Sequence, residues 1–308
     1  MSRVLVVGSV AFDTLHLPSG SHEKIPGGAA LYAAMAGSFF CPMRVVAVTG
    51  NDFPQTMLET MTKRDIDVSG IEKADGLTFH WEGRYAQNLN SRDTIRTDLN
   101  VFANFEPTLP SNYLDSEYVL LANIDPVLQL QVLNQVTKPK LVVADTMNFW
   151  IEGSLPALKR TLERVDVLVI NEEEARQLSS CYNLLEAARI MKAMGPKIVI
   201  IKRGEYGALL FDHDNVFFAP AFPLEKELDP TGAGDTFAGA FLAFIASCGE
   251  VNTRILRQAV IYGSTVASFG VEGVGSKRLE QISRDDIDSR YEDFARLVAF
   301  PSSNGNQC

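Results

Sequence analysis

Asp229-Pro230-Thr231-Gly232-Ala233-Gly234-Asp235-Thr236-Phe237-Ala238-Gly239-Ala240-Phe241 reads as a turn that runs into a strongly apolar helix. The small residues Gly232, Ala233 and Gly234 let a bound molecule approach the backbone closely. The first N–H groups of a helix lack an internal partner, and the helix dipole is positive there, so the turn is a natural anion site. One carboxylate, Asp235, stands at the junction. An acid beside an anion site pairs a base with a phosphate, which suits phosphoryl transfer, where catalysis is mostly positioning and charge stabilisation. The plainer alternative is that Asp235 only caps the helix and the glycines only make the turn.

Outward from this stretch, short apolar runs alternate with helical patterns. Val4–Gly8 is apolar throughout, as expected of a central parallel strand buried on both faces. Similar runs recur at Arg44–Thr49, Tyr118–Ala122, Leu141–Ala144, Val165–Ile170 and Lys197–Ile201. Between them, Ala29–Phe40, Gln55–Arg64, Pro126–Gln135, Leu155–Arg164, Glu172–Leu178 and Asn183–Met194 carry apolar residues at helical spacing. This alternation predicts an α/β fold: a doubly wound, mainly parallel sheet flanked by helices, with right-handed crossovers. Ligands of such sheets bind outside the carboxyl ends of the strands. Asp13, Gly27, Asn123, Asp145 and Asn171 all follow predicted strands and are expected to line one crevice.

One region breaks the alternation. Leu77–Tyr85 alternates apolar and polar residues, the mark of an antiparallel strand with one covered face. A turn-rich stretch, Asn88 to Asp93, follows, and Thr94–Val101 is expected to return; Thr14–Leu17 is a further short strand of the same small sheet. Phe79, Trp81 and Tyr85 share one face and need a cover. That cover is expected to be substrate or the same sheet of a second subunit rather than the chain's own core.

Composition fits an enzyme with a substantial core: 308 residues, 46% of them hydrophobic. The net charge of −10 argues against nucleic acid and anionic membrane surfaces as partners. The longest apolar run, Phe237 to Ala246, is too short to cross a bilayer. The four cysteines, Cys41, Cys181, Cys248 and Cys308, are scattered without a Cys-x-x-Cys pair, and the four histidines show no ligand spacing. Met1-Ser2-Arg3 leads straight into a strand without a leader pattern, so a cytoplasmic location is expected. The polar tail, residues 302–308, is expected to fray.

Asp229, Thr231, Gly232, Ala233, Gly234 and Asp235 with their small-residue helix resemble the C-terminal signature of the ribokinase-like (PfkB) carbohydrate kinase family. Gly27-Gly28 followed by Ala29-Ala30-Leu31-Tyr32-Ala33-Ala34 resembles its N-terminal signature, and the two occur in the family's order. The resemblance, running to roughly Gly275, implies one ribokinase-like kinase domain over residues 1–301, with an inserted β-sheet lid from segments near 14–24 and 77–103. It implies ATP and Mg²⁺ as cofactors, a sugar-like small-molecule substrate and pairing of the lid with its twin in a homodimer. Asp235 is then the base, and the amides of Gly232, Ala233 and Gly234 form an anion hole. Asp13, Gly27 and Gly28 hold the substrate. Where the family usually places an Asn, this chain has Tyr32, long enough to stack on a ring or close the pocket, so no particular sugar follows.

Asn171-Glu172-Glu173-Glu174 resembles the family's Asn-x-x-Glu motif, which implies that Asn171 and Glu174 meet Mg²⁺ through water; the same residues also read as a helix capping box. Lys202-Arg203-Gly204-Glu205-Tyr206-Gly207 lies where the family places a turn beside the nucleotide, so Lys202, Gly204, Gly207 and Thr231 are cofactor-side candidates. Lys202 stands where the family often has threonine; it either meets a phosphate or is a solvated surface lysine. Asp145-Thr146-Met147-Asn148 is a weaker candidate for the substrate side. Ala267–Gly275 resembles the loop that packs under the nucleotide and in some members binds a monovalent cation, an ion not assigned here.

The leading reading is an ATP-dependent kinase acting on a hydroxyl of a sugar or sugar-like molecule. A nucleoside kinase of the same fold is the alternative, because aromatic residues stack on bases. A non-catalytic metabolite-binding descendant is a third reading, opposed by Asp235 beside an intact Gly-Ala-Gly. A dinucleotide-dependent oxidoreductase fails because Gly-x-Gly-x-x-Gly is absent after the first strand, and a Walker-type NTPase fails because Gly-x-x-x-x-Gly-Lys-Ser/Thr is absent.

Overall fold

The computed structural model describes residues 3–299 except Asn90 and Asp214. The tail at 302–308, including Cys308, lies outside the described residues. The main sheet has nine strands: β1 (Val4–Val7), β4 (Met43–Thr49), β5 (Ile66–Lys73), β8 (Tyr118–Leu121), β9 (Leu141–Asp145), β10 (Val167–Asn171), β11 (Ile198–Lys202), β12 (Ala208–Asp212) and β13 (Asn215–Ala219). Their order is β13-β12-β11-β10-β9-β8-β1-β4-β5. The seven strands from β11 to β5 pair in parallel, and β12 and β13 extend that edge as antiparallel strands.

Successive side chains of a strand point to opposite faces, and here each face feeds a different core. Val4 and Val6 of β1 enter one apolar cluster, Leu5 and Val7 another. In β10, Val167 and Val169 join the first cluster while Leu168 and Ile170 face a third. The first cluster holds α1 (Ala29–Gly37), α8 (Ala233–Cys248) and α9 (Thr253–Gly270). The opposite face packs α3 (Pro126–Gln135), α5 (Leu155–Leu162), α6 (Glu172–Ser179) and α7 (Leu184–Lys192). α1 and α8 read almost wholly apolar because both are buried nearly all round. The remaining helices are α2 (Gln55–Lys63), α4 (Asn148–Gly153), α10 (Lys277–Gln281) and α11 (Arg284–Val298). No helix among the described residues is long and apolar enough to cross a membrane.

A second, four-stranded sheet grows out of the first. β2 (Ala11–Leu17), β3 (Gly20–Gly27), β6 (His80–Tyr85) and β7 (Arg92–Asp98) lie in the order β3-β2-β6-β7. Two antiparallel hairpins are joined through a parallel β2–β6 pair. The returning strand is therefore Arg92–Asp98, not 94–101: after Asp98 the chain turns through a 3₁₀ segment at Asn100–Asn104. The strand containing Trp81 begins at His80, because Thr78 is tied instead to Asp52 and Gly50.

Three strands of the main sheet lie outside the apolar runs named above. β5 reads Ile-Asp-Val-Ser-Gly-Ile-Glu-Lys, an edge strand whose polar residues face water. β12 and β13 form the opposite, antiparallel edge. The stretch 267–275 is not one loop: Ala267 to Gly270 complete α9, and the turn starts at Val271.

Candidate active site

The carboxyl ends of β9, β10 and β11 meet the amino end of α8. β9 ends in Asp145, β10 in Asn171 and β11 in Lys202. The helix opens at Gly232, whose φ of 74° is left-handed and easily held by glycine. Ala233 donates its N–H to the Pro230 carbonyl at 3.2 Å. Among the described residues, the amides of Gly232 and Gly234 meet no protein acceptor. Two free donors at a helix start form an anion site, and Ala233 adds little to it.

Asp235 lies in the first turn of α8 and is partly buried. Burial first, and then the charge of Asp145, push its carboxyl up to about 7, while Lys202 and Arg92 pull it down. Such a carboxyl accepts a proton at neutral pH without releasing it too readily, as general-base catalysis requires.

Lys202 is not a solvated surface lysine. Its ammonium donates to Asp145 Oδ2 at 2.9 Å, with Asp145 only 6% exposed. Burial disfavours the ammonium, but Asp145, Glu174 and Asp235 outweigh that and raise its pKa. The other oxygen of Asp145 accepts from the Thr146 N–H at 2.7 Å.

Asn171 and Glu174 form the capping box. Asn171 Oδ1 accepts from the Glu174 N–H at 2.8 Å, and Glu174 Oε2 accepts from the Asn171 N–H at 3.0 Å. Glu174 is buried, and its carboxyl rises to about 7 through burial and the charge of Asp145. Asn171 thus spends its one side-chain oxygen on the helix start, and Glu174 one of its two. Among the described residues, no group of three His, Cys, Asp or Glu side chains could hold a metal directly.

On the other side of the turn, Asp13 sits within β2, not after a strand, and is 4% exposed. Burial first, then Asp229, raise its carboxyl to about 7. Tyr32 O–H donates to Asp13 Oδ2 at 3.4 Å. A Cβ on Gly27 would stand 2.1 Å from that oxygen, so glycine there makes room for the carboxylate. At Gly28, φ is 96° and a Cβ would meet the Ser9 carbonyl at 2.5 Å. Here the chain's own backbone is what approaches closely: the first two amides of α1 donate to Ser9.

Tyr32 is not an open stacking surface. It is 2% exposed, and its ring lies 2.4 Å from where a Gly232 Cβ would project. The side chain therefore fills the space between the Gly27 turn and the Gly232 turn. Burial, reinforced by Asp13, raises its hydroxyl pKa well above the usual value.

Asp229 clamps the glycine turn, accepting from the Thr231 N–H at 2.8 Å and from the Gly275 N–H at 2.9 Å. The Thr231 hydroxyl donates to Tyr85 Oη at 2.9 Å, which ties the small sheet to the turn. Tyr85 lies opposite Arg92 in the β6–β7 pair, and Arg92 favours the ionised forms of Asp235 and Glu174. Neither Arg92 nor the Tyr85–Thr231 link has a local sequence signal, since both depend on how the small sheet folds over. The aromatic face is covered largely by the chain itself. Tyr85 packs with Leu15 and Leu17, the Trp81 ring lies along Gly83, and Phe79 stacks on Phe102 at 5.4 Å.

Gly204 and Gly207 lie in the turn that follows Lys202, between β11 and β12. Both have positive φ, and a Cβ on Gly207 would meet the Ala219 carbonyl at 2.0 Å, so that glycine serves the β12–β13 edge. Asn123 accepts from Trp150 Nε1 at 2.9 Å, and its amide faces Met147 Sδ at 3.1 Å, beside the end of β9.

The chain is similar to known proteins over most of its length. Residues 1–281 match the pfkB family carbohydrate kinase model. The chain is 35% identical over 253 residues to the cytidine kinase of Thermococcus kodakarensis, covering 79% of this chain and 88% of that one. The nucleoside kinase of Burkholderia thailandensis, solved with inosine, superposes with a TM-score of 0.77 at 20% identity, covering 94% and 97% of the two chains. The aminoimidazole riboside kinase of Salmonella enterica, solved with aminoimidazole riboside and an ATP analogue, gives 0.73 at 18% identity, covering 94% and 100%. At these identities the two structures show the shared fold.

Proposed function

The chain belongs to the pfkB family of carbohydrate kinases, and we propose that it transfers the γ-phosphoryl group of ATP to a hydroxyl of a sugar or sugar-bearing small molecule, with Asp235 as the base. The observation that carries this reading is the pairing of a carboxyl poised near 7 with the unpartnered amides of Gly232 and Gly234. As the acceptor oxygen bonds to the γ-phosphorus, its proton passes to Asp235 and the bridging oxygen leaves with ADP. The amides meet the charge that spreads over the transferred group.

Asp13, buried and facing Tyr32, is the acceptor-side carboxylate, suited to accept hydrogen bonds from adjacent hydroxyls. Mg²⁺, when bound, would neutralise phosphate charge. Glu174 keeps one carboxylate oxygen outside the capping box and Asn171 keeps its amide NH2, which suits contact through metal-bound water. The sheet of β2, β3, β6 and β7 acts as a lid, docked on the turn through Tyr85 and Thr231, and a twin lid in a homodimer would cover what remains open. Residues 1–301 work as one domain under this reading.

The similarity to a cytidine kinase favours a second reading, in which the acceptor hydroxyl belongs to a nucleoside. An ADP-release screen over sugars, sugar acids, polyols and nucleosides with Mg·ATP separates the two. Turnover with nucleosides alone selects the second, and no turnover with any acceptor rejects both.

A further inference from the structure

We infer that the Lys202 ammonium is a further catalytic group, a fixed positive charge that Asp145 holds against the amide turn at Gly234 to meet the phosphoryl group as it transfers; this rests on the kinase reading above.

Three observations point the same way. First, Lys202 ends β11 with its ammonium anchored at 2.9 Å to Asp145. Asp145 is itself fixed by the Thr146 amide, so the charge is held in place before anything binds. Second, a Cβ on Gly234 would stand 2.7 Å from Lys202 Nζ. The ammonium therefore rests directly on the turn whose Gly232 and Gly234 amides have no protein acceptor among the described residues. Third, an ammonium has three donors, and among the described residues Asp145 is the one hydrogen-bond acceptor it meets. Two N–H directions remain for a ligand.

A structural role explains this poorly. A buried ion pair adds little stability over apolar side chains of similar volume, because both charges must be desolvated. The site also holds three carboxylates, Asp145, Glu174 and Asp235, against one main-domain ammonium. An incoming phosphate needs a cation there. During transfer the ammonium gives up no proton. It offsets negative charge on the nonbridging oxygens while the acceptor proton goes to Asp235.

The experiment measures binding of Mg·ADP and of Mg·AMP-PNP by calorimetry, together with ADP release from Mg·ATP and the best acceptor of the screen. Lys202→Met should leave the Mg·ADP affinity within about twofold of wild type. It should weaken Mg·AMP-PNP at least about tenfold and lower kcat by about 10²–10³-fold, the scale of losing one transition-state donor. Gly234→Ala leaves the ion pair's residues in place but pushes the ammonium aside, so it should show the same selective loss. In the Lys202→Met background it should cost less than about twofold more. Equal weakening of both nucleotides, unchanged AMP-PNP binding, or a Gly234→Ala cost independent of Lys202 would each overturn the inference. Failure of the wild type to bind either nucleotide would instead overturn the kinase reading. The binding arms need no acceptor, so the two failures are told apart.

Discussion

Asp235→Asn should do two opposite things at once. Asparagine keeps the shape of the side chain but cannot accept the acceptor's proton. Loss of a general base lowers turnover by about 10²–10⁴-fold, or roughly 3–5 kcal/mol of transition-state stabilisation. The same change should make the protein more stable at pH 8. Displacement of the Asp235 carboxyl from 3.8 to about 7 corresponds to roughly 4 kcal/mol against its ionised form. Solvent reaching the partly exposed group screens this, which leaves an expected gain of about 1–2 kcal/mol. The sign follows from the two states. Below about pH 4 the carboxyl is protonated folded and unfolded, so it costs nothing. Above pH 7 it is ionised in both, and the folded state bears the full cost. The melting temperature of the variant should therefore exceed wild type by a few degrees at pH 8 and match it near pH 4. Wild-type kcat should rise with pH through about 7 as Asp235 ionises. Thermal melts at both pH values and an ADP-release assay at saturating acceptor measure all of this. Near-wild-type kcat would remove Asp235 as base, and a variant less stable than wild type at pH 8 would refute the electrostatic account.

Gly27→Ala puts a methyl where Asp13 Oδ2 stands; acceptor KM should rise at least about tenfold with a smaller change in kcat, and an unchanged KM would show that Asp13 does not hold the acceptor. Tyr85→Phe removes the hydroxyl that receives the Thr231 bond, worth about 0.5–1.5 kcal/mol. It should raise acceptor KM about three- to tenfold and increase ATP hydrolysis relative to product, whereas identical coupling would mean that the small sheet does not gate the turn. Trp81→Ala uncovers Gly83 and loosens the packing around Tyr85; acceptor KM should rise, and sedimentation should show a weaker dimer. A change in thermal stability alone would reduce that strand to ordinary packing.

The fold was readable where burial imposed a pattern. Strands covered on both faces must be apolar at every position, so β1, β8, β9, β10 and β11 stood out as continuous runs. β5 escaped because one of its edges has no neighbour and polar residues facing water interrupt its apolar ones. The 18-residue α9 escaped because it lies behind α8 and carries polar residues on its outer side, Arg254, Arg257 and Gln258 among them. Asn252 capping Ile255 was the available signal, at 3.0 Å in the structure.

The site was readable in part for a different reason. A glycine in a motif says that a Cβ is not tolerated, but not what excludes it. At Gly27 the obstacle is Asp13, at Gly28 it is Ser9, at Gly232 the Tyr32 ring and at Gly234 the Lys202 ammonium. Each obstacle is a side chain or backbone of this protein brought from elsewhere in the chain. The glycines thus report close packing around the site as much as room for a ligand. Tyr32 follows the same logic: its distance from Gly232 along the chain hides that its ring supports that turn, which is why an aromatic residue at a substrate-side position ends as filler between two glycine turns. If Asp13 holds the acceptor as proposed, selectivity falls to what remains open around it, with the Tyr32 hydroxyl on one side and Tyr85 of the small sheet above the turn.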